Sequence, residues 1–403
     1  MRNLYNLPKK VEFCSKCVYS NQLPSSIPEY LHKPSREGAK YINFRKNLKG
    51  ENICSACDVA ELKKNINWKK REKELLKLLN KHRSKNGEYD CVVPGSGGKD
   101  SVYASHILKY KYGMNPLTVT WPPILYTDYG YENYKNWIEI GGFDNIAFKQ
   151  NGHVIKLLTR LSIENLLHPF QSFILGQKNI GAKIAAKYKI PLVFYGESDA
   201  EYNNPISELS STRDHKYWLS NKSDKYYLAG LPISELINKY KLKHSDLKPY
   251  LPIEKKEIKG IDIQVNYLGY FLKWVPQEAY YYSVEHTNFK PRPFRTQGTY
   301  SKYSGLDDKI DDLHFYTTYI KFGLGRATYD AAQEIRNKHI TRDEGLKLVS
   351  KFDGEFPDKY LDDVLDHIGL KKDKFIKLLD KFRSPHLWKK EGKNWQLRHR
   401  VFD

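Results

Sequence analysis

The sequence predicts an α/β protein built on a doubly wound parallel sheet, with a four-cysteine knuckle before the sheet and a mainly helical region after it. Short apolar runs alternate with helical patterns between residues 86 and 245, which is typical of a parallel sheet covered on both faces. Two C-x-x-C pairs lie near the start, and helical periodicity runs from about residue 324. We therefore divide the 403 residues into three regions, 1–85, 86–245 and 246–403.

The knuckle is predicted from four of the five cysteines, Cys14, Cys17, Cys54 and Cys57. Each C-x-x-C turn can present two thiolates to one metal ion, so the two pairs together predict a tetrahedral four-sulfur site. A closed site leaves no open coordination position, and we therefore expect a structural zinc ion. An iron–sulfur cluster is an alternative for the same ligands, and disulfides are disfavoured in a reducing compartment.

The charge of the chain is strongly basic and unevenly distributed. The formal net charge is +20, and residues 1–85 hold 20 Lys/Arg against 8 Asp/Glu. Such an excess raises the question of nucleic acid, anionic membranes or phosphate-bearing substrates, although a lysine-rich surface also serves solubility. We find no apolar run near the ~18 residues of a membrane span. We expect a cytoplasmic protein without a membrane span.

The elements of the first two regions follow from periodicity. A basic amphipathic helix over 59–82 is predicted to link the knuckle to the sheet. The loop over 198–226 carries no pattern that we can assign, and few residues over 198–230 match a motif. A capping box is predicted at Thr341–Glu344. Strands are predicted at 89–94, 116–121, 145–148 and 191–195, and helices at 101–112, 131–140, 153–167 and 172–189.

The most informative segment is the glycine-rich run from Pro94 to Ser101, between an apolar strand and a helix. Its glycines let backbone amides approach an anion, Ser96 and Ser101 add hydroxyl donors, and the helix directs its N-terminal dipole toward the same point. The spacing is neither G-x-x-x-x-G-K-[ST] nor G-x-G-x-x-G. The segment predicts a phosphate-binding loop.

The letters S-G-G-K-D-S resemble the PP-loop of the ATP pyrophosphatase superfamily. The resemblance implies that the loop binds the diphosphate that leaves when a substrate oxygen takes the α-phosphate of ATP. It also implies that Asp100 helps to hold Mg²⁺ on that diphosphate, that Lys99 offsets its charge, and that Ser101 completes the catalytic set. The implied nucleotide ligands in the loop are Ser96, Gly97, Gly98, Lys99, Asp100 and Ser101.

Further motifs resemble the N-acetyl sugar amidotransferases of bacterial surface polysaccharide and flagellin glycan synthesis. This resemblance implies adenylation of the amide oxygen of an N-acetyl group on a nucleotide-linked acetamido sugar. Ammonia then displaces AMP and leaves an acetamidino group. The family's ammonia comes from separate subunits that resemble the glutaminase and cyclase parts of imidazole glycerol phosphate synthase. The motifs lie at 141–145, 169–177, 194–197, 295–303, 307–312, 320–326, 334–336 and 353–357.

Other site residues are predicted from strand ends and from these motifs. Trp121 ends a strand and is expected to border the adenine, while Gly196 and Glu197 end another at the edge where such sheets bind ligands. Arg295 and Lys302 are candidates for a sugar-nucleotide phosphate grip, with ordinary surface charge as the alternative. The predicted substrate ligands are Gln171, Gln177, Arg295, Thr299, Lys302 and Arg326.

Two groups of charged residues have competing interpretations. The aspartates Asp307, Asp308, Asp311 and Asp312 offer a metal ligand or a general base, but a solvated helix start is at least as well favoured. The set Arg326, Asp330 and Glu334 shares one helix face, for which we prefer an exposed ladder of ion pairs. Cys91 is expected to be a small buried strand residue.

A different class of function is a PP-loop enzyme that modifies tRNA, as in thiolation or lysidine formation. The basic first region favours it, but thiolation needs a reactive cysteine near the nucleotide, and no cysteine follows Cys91. Lysidine-like chemistry needs no such cysteine and stays open, and salt-sensitive RNA binding would support it. A helix-turn-helix reader of DNA is disfavoured because residues 341–383 hold 10 basic and 10 acidic side chains. We do not expect a nucleic-acid partner. A third hypothesis makes residues 1–85 a docking module for the ammonia-producing subunits.

Overall fold

The computed structural model describes residues 2–25, 31–197, 210–213, 215–220 and 225–403. Much of the loop over 198–226, to which the sequence assigned no structure, lies outside the described residues. The strands are β1 Phe44–Lys46, β2 Asn52–Cys54, β3 Cys91–Pro94, β4 Pro116–Thr120, β5 Asn145–Ala147, β6 Leu192–Tyr195, β7 Leu219–Ser220, β8 Tyr227–Leu228, β9 Leu231–Pro232, β10 Ile253–Glu254, β11 Gln264–Tyr267, β12 Trp388–Glu391 and β13 Asn394–Leu397.

The helices include the four predicted around the sheet, each within three residues of its expected start. The helix after β3 continues from His106 as one π-helical turn, Ile107–Lys111. The helices are α1 Ser55–Lys64, α2 Trp68–His82, α3 Lys99–His106, α4 Asp128–Glu139, α5 Gly152–Leu166, α6 Gln171–Tyr188, α7 Ile233–Asn238, α8 His244–Leu247, α9 Leu268–Phe271, α10 Pro276–Thr287, α11 Asp311–Phe322, α12 Arg326–Arg336, α13 Arg342–Phe352, α14 Asp358–Ile368 and α15 Lys372–Phe382.

The central sheet has the strand order β11-β6-β3-β4-β5, and each neighbouring pair is parallel. This confirms the predicted parallel α/β architecture. The edge strand β11 was not predicted, and it lies in the region that we had assigned to the C-terminal unit. The sheet-containing unit therefore extends beyond the predicted boundary at residue 245.

Successive residues of the central strands pack on opposite faces of the sheet. Val92 and Val193 lie in the core that includes residues of α5 and α6. Cys91 and Val93 face the opposite layer, which includes Leu75 of α2. The helices cover both faces, as predicted for a doubly wound sheet. Cys91 is fully buried among apolar side chains, as expected.

The predicted basic helix over 59–82 is two helices. The side chain of Asn67 accepts a hydrogen bond from the backbone amide of Lys70 and begins α2, because an N-cap asparagine satisfies an amide that has no partner within the helix. Leu75 and Leu79 of α2 are fully buried. The break turns the chain between the knuckle and the sheet.

The C-terminal region is mainly helical, as predicted, and it ends in the antiparallel β12–β13 hairpin. Thr341 and Glu344 form the predicted capping box. The knuckle is not a separate module, because Arg342 donates hydrogen bonds to the carbonyl oxygens of Cys17 and Cys14. Among the described residues, no helix combines the length and apolar character that a membrane crossing requires.

Candidate functional site

The glycine-rich loop joins β3 to α3 at the carboxyl edge of the sheet. The helix begins at Lys99, two residues before the predicted start, and Gly98 is its N-cap with an extended backbone. Gly97 has φ of +84°, and a Cβ there would lie 2.6 Å from Cα of Tyr134. Only glycine fits this position. The first amides of α3 have no partner within the helix, so they are available to an anion.

Lys99 and Asp100 lie in the first turn of α3, and both carboxylate oxygens of Asp100 have a partner. The Nζ atom of Lys99 lies 2.6 Å from Oδ2 of Asp100, and the indole nitrogen of Trp274 donates to Oδ1 at 2.9 Å. The hydroxyl of Ser101 donates to the carbonyl oxygen of Gly98 at 2.9 Å. Asp100 therefore presents an oriented carboxylate, the type of ligand that Mg²⁺ prefers.

The residues that follow the neighbouring strands β6 and β4 differ in their position relative to the loop. A Cβ at Gly196 would lie 2.5 Å from the carbonyl oxygen of Asp100, so glycine lets the end of β6 pack against the loop. Glu197 follows it and is half-buried. Trp121 is 2% exposed and stacks on Phe148 at 5.3 Å, so its ring is part of the core. The prediction that Trp121 borders the adenine is therefore wrong.

A cavity of about 300 Å³ opens directly over the loop. The loop forms one wall, and the chain from Tyr303 to Asp307 together with α11 and α12 forms another. An anion bound to the loop would therefore meet side chains of the C-terminal region. The lining residues are Ser96, Gly97, Gly98, Lys99, Asp100, Gly130, Asn133, Phe289, Tyr303, Ser304, Gly305, Leu306, Asp307, Asp311 and Arg326.

A second cavity of about 510 Å³ adjoins the first and shares Lys99, Tyr303, Ser304 and Arg326 with it. Four aromatic rings and two carboxylates give it flat apolar surfaces with acceptors between them. Its remaining lining residues are Pro276, Gln277, Tyr300, Ser301, Lys302, Phe315, Tyr329, Asp330, Gln333, Glu334, His339 and Ile340.

Arg326 lies where the two cavities meet. Its Nε donates to Oδ1 of Asp330 at 3.1 Å, and its guanidinium lies 4.3 Å from the ring centre of Phe315. The side chains of Arg326 and Asp330 are only 19% and 15% exposed. The expected ion pair at four-residue spacing therefore forms between Arg326 and Asp330, but it is not exposed, because both residues line a cavity.

The four aspartates at 307–312 do not form a solvated helix start, which corrects the second of our two interpretations. Asp308 is buried and accepts hydrogen bonds from the amides of Ile124 and Ile310 at 2.6 and 2.9 Å, so it fixes two loops. Burial raises the pKa of Asp308 to about 8, that of Asp311 to about 6 and that of Asp312 to about 7. Asp307 and Asp311 line the first cavity.

Three predicted substrate ligands do not line either cavity. The guanidinium of Arg295 forms two hydrogen bonds with Glu355, at 2.5 and 2.6 Å, so it fixes a turn. Gln171 is fully buried, and its side-chain oxygen accepts from the amide of Ala229 at 2.7 Å. Gln177 is exposed on α6. Intramolecular partners hold the side chains of Arg295 and Gln171, and Gln177 lies on a face of α6 outside the two cavities.

The other predicted ligands lie at the cavities or behind them. Lys302 is exposed at the second cavity. Thr299 is buried, and its hydroxyl donates to Oδ2 of Asp330 at 2.7 Å, so it orients a lining carboxylate. Trp274 and Tyr303 also lie at the loop and were not predicted as site residues, because no local pattern shows that residues so far from the loop pack against it.

The four cysteines of the knuckle are buried, and their sulfur atoms all lie within 4.8 Å of one another. The Sγ atoms of Cys14 and Cys57 are 3.8 Å apart, and those of Cys17 and Cys54 are 3.6 Å apart. A tetrahedral ion with bonds of about 2.3 Å, as between zinc and thiolate, requires separations of about 3.8 Å. The geometry fits one tetrahedral metal ion.

Comparisons with known proteins match parts of the chain. Residues 297–401 match the family model of the C-terminal domain of WbpG-like LPS biosynthesis proteins. This match supports the resemblance to the N-acetyl sugar amidotransferases. The chain is also 41% identical over 73 residues to the uncharacterized protein MJ1599 of Methanocaldococcus jannaschii; those residues are 18% of this chain and 26% of that protein. The match thus spans about a quarter of that relative's length.

Among solved structures, the U34-tRNA thiolase NcsA from Methanococcus maripaludis with its [4Fe-4S] cluster is similar over 79% of this chain and 88% of that chain. The sequence identity is 13% and the TM-score is 0.28. A score this low supports no inference about function or cluster type.

Proposed function

We propose that this chain, which carries a WbpG-like C-terminal domain, is an ATP-dependent, AMP-forming amidotransferase. Its substrate would be a nucleotide-linked acetamido sugar, whose N-acetyl oxygen is adenylated and then replaced by ammonia. The products would be an acetamidino sugar for surface polysaccharide or flagellin glycan, AMP and diphosphate.

One observation carries the proposal: the segment related to LPS biosynthesis supplies most of the second cavity, and that cavity opens onto the loop. The range 297–401 includes every lining residue of the second cavity except Lys99, Pro276 and Gln277. A substrate held by this segment would therefore meet the phosphates held by the loop. Two reactants held side by side are what an adenylation step requires.

The residues of the first cavity suit the diphosphate of ATP. The amides at the start of α3 donate to phosphate oxygens, and Lys99 and Arg326 supply positive charge. Asp100 would hold Mg²⁺, which neutralises charge on the leaving diphosphate. In the second cavity, rings such as Tyr300 and Phe315 offer surfaces for a sugar or a base, and Lys302 offers a cation for a phosphate.

The metal of the knuckle is proposed to be a structural zinc ion. Support comes from the sulfur separations of 3.6 and 3.8 Å and from burial of all four cysteines. The contacts of Arg342 with the knuckle indicate that such an ion would stabilise the C-terminal helices as well. A thiolate site of this kind suits the reducing cytoplasm, which we propose as the location.

Ammonia is proposed to come from a separate glutaminase and cyclase-like subunit pair. A glutaminase of the common type needs a reactive cysteine near a histidine. Four of the five cysteines form the knuckle cluster, and the fifth, Cys91, is fully buried in β3. Burial raises the pKa of the Cys91 thiol, which makes it a poor nucleophile. Hydrolysis of glutamine by the purified chain alone would contradict this part of the proposal.

The test incubates the chain with ATP, Mg²⁺ and ammonium across a panel of nucleotide-linked diacetamido sugars. We expect AMP formation that depends on one sugar, together with the mass change of replacing oxygen by NH. Asp100→Asn should abolish both signals, whereas Asp262→Asn, on an exposed loop residue, should keep them. ADP as the product, or AMP formation that requires tRNA instead of a sugar, would overturn the proposal.

A further inference from the structure

Asp311 is a cavity carboxylate with an unsatisfied oxygen. It is the first residue of α11 and lines the cavity over the loop. Its side chain is 14% exposed, and within the described residues its shielded Oδ2 has no hydrogen-bond partner. The Nη1 atom of Arg326 lies 3.9 Å from Oδ2, which is beyond hydrogen-bond distance. The carboxylate therefore carries an oxygen to which no described group donates a hydrogen bond.

The chain is shaped around this carboxylate. Gly305 has φ of +59°, and a Cβ there would lie 1.6 Å from Oδ2 of Asp311. Any other residue at 305 would therefore displace the carboxylate. The absence of a side chain at Gly305 thus leaves the room that the Asp311 carboxylate occupies.

The charges around Asp311 come from each element packed against it. Burial has the largest effect and, with two carboxylates that oppose ionisation and two cations that favour it, raises the pKa of Asp311 to about 6. At neutral pH the group is therefore ionised but more basic than an ordinary aspartate. The facing groups are Arg326 and Asp330 of α12, Arg292 and Asp307 of the preceding loops, and Asp312 of its own helix.

Three other carboxylates of the two cavities are engaged. Asp100 is bound by Lys99 and Trp274. Asp330 accepts from Thr299 and Arg326, and Glu334 contacts Tyr303 and His339. Asp307 also lines the first cavity and is the natural comparator for Asp311.

We propose that Asp311 is the general base for the nitrogen nucleophile, an inference that rests on the proposed function. In this step the lone pair of ammonia forms a C–N bond to the carbon of the O-adenylated acetamide. The nitrogen becomes positive and gives one proton to the carboxylate of Asp311. The C–O bond then breaks, and its electron pair leaves with AMP. Asp311 returns the proton to solvent.

The assignment predicts that Asp311 acts on the second half-reaction only. Adenylation by itself can be followed as sugar-dependent exchange of labelled diphosphate into ATP without ammonium. We expect Asp311→Asn to keep this exchange within about threefold, while amidine formation falls by about 100-fold, the usual effect of losing a general base. Retained exchange also shows that the variant is folded and binds both substrates.

A second nucleophile separates proton removal from a structural role. Hydroxylamine is unprotonated and strongly nucleophilic at neutral pH, so its reaction depends less on a base. We expect it to restore product formation by Asp311→Asn toward the wild-type rate. Asp307→Asn should show no such selective loss.

Three outcomes would overturn the inference. Exchange and amidine formation that fall together in Asp311→Asn would indicate a structural or binding role. A selective loss in Asp307→Asn with an active Asp311→Asn would move the base to Asp307. Wild-type chain that exchanges diphosphate without any sugar would instead refute the proposed function, and this inference with it.

Discussion

The indole N–H of Trp274 donates a hydrogen bond of 2.9 Å to Oδ1 of Asp100, across 174 positions of the sequence. Trp274 is 2% exposed, and its carbonyl oxygen accepts a hydrogen bond from Lys63 of α1 at 2.9 Å. Since Lys99 binds the other oxygen, the Asp100 carboxylate is held from both sides. The segment after β11 thus orients a loop residue and connects it to the knuckle helix.

Replacing Trp274 by Phe should impair the loop without unfolding the chain. The change keeps an aromatic ring but removes a hydrogen bond to a charged group, whose loss is worth about 1.5–3 kcal/mol, or roughly a 10- to 150-fold fall in kcat/KM for ATP if it acts wholly on the bound state. The rate of diphosphate exchange as a function of ATP concentration gives this kcat/KM. Trp395→Phe, on the C-terminal hairpin, is the matched control, and equal constants for the two variants would contradict the role of Trp274.

Gly97→Ala should abolish nucleotide binding, while Gly87→Ala should not. Both glycines have φ of +84°, so both substitutions carry a similar backbone strain of about 1 kcal/mol. Only at Gly97 would the new Cβ meet backbone, 2.6 Å from Cα of Tyr134; nothing lies within 4 Å of it at Gly87. Calorimetric titration with ATP and Mg²⁺ distinguishes the two, and equal affinities would show that the loop tolerates displacement.

The central strands and the loop could be predicted because their signals are local. Apolar runs such as 191–195 need no knowledge of partners, and the run S-G-G-K-D-S lies between a strand and a helix. The edge strand β11 is only four residues long and its pairing with β6 is visible only in three dimensions. The burial of Trp121 depends in the same way on Phe148 and on α6.

The site was predicted less completely because similar side chains have different distant partners. From spacing alone, Arg295 and Arg326 are equivalent cations near glycines. The structure pairs Arg295 with Glu355, 60 positions away, and leaves Arg326 lining both cavities. Local sequence contains no signal for such a partner.

This difference between the two arginines is testable. Arg326→Lys should lower kcat/KM for the sugar substrate by about 10-fold or more, because a lysine cannot reproduce a guanidinium that contacts a carboxylate and a ring together. Arg295→Lys should mainly lower the melting temperature, since it weakens the two hydrogen bonds to Glu355. Kinetics and thermal unfolding of both variants are the measurements. The opposite pattern would restore Arg295 as a substrate ligand.

Loss of the knuckle metal should destabilise the whole chain. We expect about one zinc ion per chain by elemental analysis, and Cys57→Ala should lose it together with a large part of the thermal stability, because knuckle and C-terminal helices share one core. Cys91→Ala removes an equally buried cysteine outside the cluster and should keep the ion. Several iron atoms per chain with visible absorption would contradict the assignment.

The rate of amidine formation should depend on the ionisation of Asp311. Its pKa is raised to about 6, and the proton acceptor is the carboxylate, so at constant free ammonia the rate should rise with pH through about 6 and level off above it. Asp311→Asn should lose this limb, while Asp362→Asn, on the exposed face of α14, should keep it. The free energy of unfolding changes with pH in the opposite direction to the rate of amidine formation. Because the folded chain binds this proton more tightly than the unfolded chain, ionisation costs stability as pH rises from 4 toward 7, and the melting temperature of Asp311→Asn relative to wild type should rise over that range. A limb near pH 6 that survives in Asp311→Asn would assign the titration to another group.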